Sequence, residues 1–175
     1  MTEAQLSNAM DAYGSTVYRL ALTRMQNIAD AEDVYQEVFL RLWKQAAEDW
    51  DGDRAKAWLI RTTLNRCADL HRFHLRRPVL SFAEIPDLAQ PEDESRELWE
   101  AVSRLPEKAR TAVHLYYAEG YSAEEISQLM HIPAATVRTR LHRARKQLKE
   151  LLGGIDDETC VSRSCLLYTS DAADE

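Results

Sequence analysis

Glycine and proline are scarce, five of each in 175 residues. With so few hinges and helix breakers, long helices are the expectation. Long apolar runs are missing too: nothing approaches the roughly 18–20 residues that span a bilayer. The opening Met1-Thr2-Glu3-Ala4 has neither the basic flank nor the apolar stretch of a secretion signal, which points to the cytoplasm. Cysteine is limited to Cys67, Cys160 and Cys165, an odd number without a CxxC pair. That argues against a disulfide framework and gives a zinc site little support. What remains is an ordinary soluble mix, 45% hydrophobic and 29% charged.

A net charge of −7 disfavours a polyanion partner until it is mapped along the chain. Residues 54–77 hold seven Lys/Arg and one acid, Asp69, a net of +6. Residues 134–149 hold six Lys/Arg and no acid. Between them, residues 84–97 hold six acids and Arg96, a net of −5. The local field decides where a polyanion docks, so two basic segments separated by an acidic one suggest two contact points on one partner.

Apolar spacing predicts a helix over about 5–25, from Ala9, Tyr13, Val17, Leu20 and Ala21. A second runs from a cap at Asp30 to about Lys44. After the loop around Asp49-Trp50-Asp51-Gly52-Asp53, a third covers about 54–76 and ends before Pro78. Residues 78–91 carry three of the five prolines and read as a linker. A second helical unit starts near Glu94, with Pro106 at a first helical position and the following helix stopping at Gly120. Ser122 to Glu125 fits a capping box, His131-Ile132-Pro133 a tight turn, and a last helix runs over about 134–152. No strand alternation or internal repeat is present. The expected fold is all-α: a helical domain over 5–77, an acidic linker over 78–96 and a second helical domain over 97–153. Residues 156–175 continue no pattern and read as a disordered or non-native tail; they hold six acids and Arg163, so the rest of the chain nets only −2.

A short helix, a tight turn and a basic second helix make a helix-turn-helix. Val137, Leu141, Ala144 and Leu148 fall within about 60° of arc and form the buried stripe. Ala135, Thr139, His142 and Lys146 then face outward, flanked by Arg138 and Arg143. Small residues early in the helix permit close approach to bases, while arginine can take guanine bidentately. A plainly solvated face is the alternative. On the third helix Leu59, Thr63, Cys67 and Leu70 share the core side. Arg61, Asn65, Asp69, Arg72 and Arg76 share the other, with Trp58 beside them, a composition suited to phosphates and unstacked bases. Here the alternative is a solvated stripe with Trp58 in the core. Cys67, His71 and His74 are spaced i, i+4, i+7, but their places on the wheel favour packing or DNA-proximal roles over metal ligation, and no cofactor is indicated. The second helix has two faces: Val34, Tyr35, Val38 and Leu42 can pack inward, while Asp33, Gln36, Glu37, Leu40 and Trp43 mix charge, amide and aromatic as protein-docking surfaces do, packing on a neighbouring helix being the alternative.

Asp30-Ala-Glu-Asp-Val-Tyr-Gln-Glu-Val-Phe-Leu-Arg-Leu-Trp43 resembles the polymerase-docking helix of the extracytoplasmic-function (ECF) sigma factors of bacteria. Trp58-Leu59 with Asn65, Asp69 and Arg72 is similar to their helix that reads the minus-ten promoter element. Leu105-Pro106 and Gly120-Tyr-Ser-Ala-Glu-Glu-Ile126 resemble the family's second domain, and Thr136-Val-Arg-Thr-Arg-Leu-His-Arg-Ala-Arg145 its minus-thirty-five recognition helix. The likeness covers about residues 8–152, with the motifs in family order. Thr62-Thr63 replace the family's usual apolar residue and Ala, and Ala135 stands where Gly is common.

The resemblance implies a non-enzymatic initiation factor with a sigma domain 2-like bundle and a domain 4-like helix-turn-helix. Asp33, Gln36, Glu37, Leu40 and Trp43 would dock on the clamp coiled coil of the polymerase largest subunit, and the second domain on the flap. Trp58, Arg61, Asn65, Arg72, Arg76 and Arg77 would contact the minus-ten element, with a flipped base held by the 48–53 loop. The acidic linker would thread the RNA-exit path. Thr136, Arg138, Thr139, His142 and Arg143 would read the major groove of the minus-thirty-five element, with Lys146 binding DNA beside them. An anti-sigma partner follows from family habit. Two other classes stay open on the residues alone. A dimeric helix-turn-helix regulator would need neither the Asp33–Trp43 face nor the acidic tether. A nucleic-acid enzyme would need a metal or nucleophile motif that the sequence does not display.

Overall fold

The computed structural model describes residues 2–44, 52–76 and 93–152, and side chains from 97 onward in the last stretch. Among the described residues there are seven α-helices, one π-helical turn and no strand. The chain divides into two units, Met1–Pro86 and Asp87–Glu175. No helix among the described residues is long and apolar enough to cross a membrane.

The first unit contains α1 (Glu3–Met25), α2 (Ile28–Lys44) and α3 (Gly52–Arg76). α1 begins two residues before the predicted start, because Thr2 and Gln5 form a reciprocal capping box that satisfies two N-terminal N–H groups. It ends on Gln26 in the left-handed region (φ 52°). Asn27, not Asp30, caps α2: its Oδ1 accepts from the Asp30 N–H (3.0 Å) and its carbonyl from Ala31 N–H (3.0 Å). Sequence alone favours Asp30 because its carboxylate suits a cap, yet the two-residue corner leaves Asn27 at that place. Asp30 then sits in the first turn, where the helix dipole still favours a negative charge.

Val17, Leu20 and Ala21 of α1 meet Val34, Val38 and Leu42 of α2 and Leu59, Ile60 and Cys67 of α3 in a buried core. Each large aliphatic side chain sealed there contributes about 1.5–3 kcal/mol. Gly14 leaves room for the Tyr35 ring of α2: a Cβ there would lie 3.0 Å from the Tyr35 hydroxyl. Burial, and then the nearby Asp11 carboxylate, push the Tyr35 phenol above its usual range. Thr63 is fully buried, and its hydroxyl donates to the Leu59 carbonyl at 2.8 Å. A polar atom in the core thus finds its partner within its own helix.

The second unit contains α4 (Asp93–Ser103), α5 (Glu107–Val113), a π turn (His114–Ala118), α6 (Ala123–Met130) and α7 (Ala134–Leu151). Pro106 is the N-cap of α5 rather than its first helical residue, and its carbonyl accepts from the N–H groups of Ala109 and Arg110. Arg110 is buried and donates to the carbonyls of Ser103 (3.1 Å) and Leu105 (2.9 Å), fixing the α4–α5 turn. The helix predicted to run unbroken to Gly120 instead widens into the π turn, where the largely buried His114 and Glu119 side chains lie 3.7 Å apart. Gly120 (φ 74°) then takes the chain out.

The Ser122–Glu125 box starts α6, and left-handed His131 (φ 52°) ends it. Ile126 and Leu129 pack inward toward Val137, Leu141, Ala144 and Leu148, all four buried as their spacing requires.

Candidate nucleic-acid and protein interfaces

Burial of one stripe of α7 dictates what the other side offers. Arg138, Thr139, His142, Arg143 and Lys146 are exposed, and Thr136 is half-buried at the edge. Residues 139, 142, 143 and 146 are three or four apart and share one face. The Thr139 hydroxyl donates to the Ala135 carbonyl (2.9 Å) on a helix that opens with small side chains. Arg138 has a partner that sequence reading missed: its guanidinium pairs with the Glu124 carboxylate on α6. The two residues lie fourteen apart and meet only through the α6–α7 turn. No wheel of a single helix contains that information.

The first turn of α6 is pinned by its own cap. The Ser122 hydroxyl accepts from the Glu125 N–H (3.3 Å), and the Glu125 carboxylate accepts from the Ser122 N–H (2.8 Å) and hydroxyl (2.7 Å). Those bonds, the hydroxyl's first and the backbone's second, hold the Glu125 carboxyl below the usual carboxylate range.

On α3 the residues Arg61, Asn65, Arg72 and Arg76 are exposed along one side, and Trp58 beside them is half-buried. Arg72 pairs with Asp69 (3.0 Å), so one acid of the stripe offsets one of its cations. Arg77 and most of the 48–53 loop lie outside the described residues. Cys67 is sealed in the core, and His74 turns to Asp30 at the start of α2 (3.2 Å). Phe73 and Leu75 are 50% and 84% exposed, and sequence reading did not single them out. The available signal was their place beyond Leu70, the last buried residue of α3, among Arg72, Arg76 and Arg77.

The outward side of α2 carries Asp33, Gln36 and the half-buried Glu37, with Leu40 and Trp43 at 53% and 44% exposure. Glu37 is steadied by Arg41 one turn on (3.0 Å). Two large apolar side chains left in water beside a carboxylate and an amide cost solvation, and a partner protein would recover it. The acidic linker and the tail lie largely or wholly outside the described residues.

Comparison with known proteins gives a consistent picture. Residues 9–77 match the Sigma-70 region 2 family model, and residues 95–148 match the Sigma-70 region 4 family model. The chain is 34% identical to the ECF RNA polymerase sigma factor SigE of Mycolicibacterium smegmatis, over 86% of this chain and 62% of the relative. It is 32% identical to SigM of Bacillus subtilis, over 83% of this chain and 94% of the relative. It spans only 39% of another relative, RfaY of Xanthomonas campestris, at 33% identity over 81% of this chain. Among solved structures, the fold is similar to the sigma factor RpoE of Bartonella quintana in complex with the anti-sigma factor NepR. That match has a TM-score of 0.73 and 23% identity, and covers 87% of this chain and 99% of the other. It is also similar to CnrH in complex with the cytosolic domain of CnrY, with a TM-score of 0.62 and 25% identity over 89% of this chain and 92% of the other. With both regions matched in order, and with a relative of similar length 32% identical across nearly its whole sequence, the chain belongs to the ECF family of RNA polymerase sigma factors.

Proposed function

We propose that this protein directs core RNA polymerase to specific promoters by binding both, without catalysing a reaction itself, in the cytoplasm of a bacterium. The observation that carries the reading is the outward face of α7. Thr139, His142, Arg143 and Lys146 stand exposed on a helix whose opposite stripe is buried, so a recognition surface is available and its domain does not occlude it. Thr136 and Arg138 flank that surface.

The roles divide by surface. Asp33, Gln36, Glu37, Leu40 and Trp43 grip the clamp coiled coil of the polymerase, and the second unit meets the flap. Trp58, Arg61, Asn65, Arg72, Arg76 and Arg77 track the minus-ten strand, and α7 enters the major groove at the minus-thirty-five element. Each unit alone binds DNA weakly. On the polymerase their spacing is fixed, so the second contact becomes intramolecular and gains a high effective concentration. Capturing an extruded base near Asn65 offsets an unstacking cost of a few kcal/mol. The six acids of residues 84–97 suit passage along a channel built for nucleic acid. An anti-sigma factor holds the protein inactive; the likeness to CnrH, solved with CnrY, supports that partner.

Run-off transcription with the full chain and purified core polymerase tests the proposal. A promoter-specific transcript is expected; its absence overturns the reading. Tight operator binding without polymerase would favour a dimeric regulator instead.

A further inference from the structure

The Glu124–Arg138 ion pair joins the first helix of the helix-turn-helix to the second. Its two ends are not equally free. Glu124 is the second residue of α6, whose first turn is locked by the reciprocal Ser122–Glu125 bonds. α6 and α7 are themselves fixed by buried Ile126, Leu129, Val137 and Leu141. Glu124 thus sits on a fixed helix start with the shorter side chain, and arginine is the longer arm that reaches it.

Both side chains remain about 60% exposed (60% for Arg138, 59% for Glu124), so the pair forms and opens easily in water. While it holds, the positive charge of Arg138 is cancelled locally and part of its five-donor fork is occupied. A phosphate passing at any register must then displace a carboxylate of like charge to gain one cation, an exchange with little return. A guanine edge in register offers two coplanar acceptors to the same fork and repels it less. Specificity of this kind comes from weakening the wrong contact rather than strengthening the right one.

We infer that Glu124 is a specificity-determining residue, holding Arg138 back from sequence-independent phosphate contacts so that it engages the duplex only where a base presents the matching acceptors. The inference rests on the sigma-factor reading above.

The test uses the full chain on core polymerase. The wild-type complex first selects a promoter duplex from a randomised library, and the same duplex with its minus-thirty-five block scrambled serves as control. Affinity for both is measured across a salt series for wild type, Glu124→Gln, Arg138→Ala and the double variant. Glu124→Gln is expected to bind the scrambled duplex about 3- to 10-fold more tightly, with a salt slope steeper by about 0.9, one phosphate contact. Promoter affinity should change less than about 2-fold, so selectivity falls. In the Arg138→Ala background the same change should leave selectivity unaltered, because no arginine is left to release. Thermal melting verifies that Glu124→Gln remains folded, since the capping residues are untouched. A wild-type preference that survives Glu124→Gln, or that falls equally without Arg138, overturns the inference alone. A wild-type complex that selects nothing overturns the sigma-factor reading beneath it.

Discussion

His74, near the end of α3, reaches across forty-four residues to place its Nε2 3.2 Å from the Asp30 carboxylate in the first turn of α2. Both side chains are partly shielded, at 31% and 19% exposure. The contact ties the far end of the candidate DNA-tracking helix to the near end of the candidate polymerase-docking helix. A double-mutant cycle of His74→Ala and Asp30→Ala should give a coupling energy of about 0.5–1 kcal/mol in urea unfolding. Each single variant should cost somewhat more than the coupling, Asp30→Ala through the lost helix-dipole term. Additive losses would reduce the pair to an incidental approach.

Trp43 leaves nearly half its surface in water at the last turn of α2. Trp43→Ala should weaken binding to core polymerase by roughly 2 kcal/mol, about 30-fold, with helix content and urea midpoint unchanged. Fluorescence titration against core enzyme and circular dichroism on the same sample separate the two effects. Parallel loss of both would place the indole in the fold's own packing.

Arg143 and Lys146 share the exposed side of α7 but are expected to act differently. Arg143→Ala should cost roughly 1–3 kcal/mol and relax selectivity at one base position, the signature of a base contact. Lys146→Ala should weaken all sequences alike and lower the salt slope by about 0.9. Selectivity unchanged in Arg143→Ala would move that arginine to the phosphate backbone.

The Ser122–Glu125 box gives a pH dependence with a defined sign. The folded-state carboxyl of Glu125 is held below its unfolded value by the Ser122 bonds. Its contribution is therefore fully present above the ordinary carboxylate range and is lost as the pH falls through the lowered folded value. Ser122→Ala should lower the melting temperature by about 4 °C at neutral pH. The gap between variant and wild type should narrow below about pH 4. A gap that stays constant from pH 7 to 3 would show that the carboxylate does not take part.

Features confined to a single helix were readable in the chain. Val137, Leu141, Ala144 and Leu148 mark their stripe by spacing alone, and Ser122 and Glu125 mark a helix start by residue type. What escaped depends on a neighbour. Asn27 displaces Asp30 as the cap because Gln26 closes α1 in a left-handed turn. The π turn at His114 surrounds two shielded polar side chains whose burial only the assembled second unit creates. Arg138 reads as a bare cation until α6 folds back and brings Glu124 to it. Thr63 is a different case: it departs from the family's alanine, yet its hydroxyl is satisfied one turn back at Leu59, within its own helix.

The corner at Gln26 and Asn27 has a mechanical meaning. With two residues between α1 and α2, and Asn27 bonded into the second, the joint has no slack to pay out. Swinging α2 away from α1 would break that cap and the packing of both helices on α3. If α2 docks on the polymerase and α3 tracks the promoter strand as proposed, such a stiff elbow serves better than a loop.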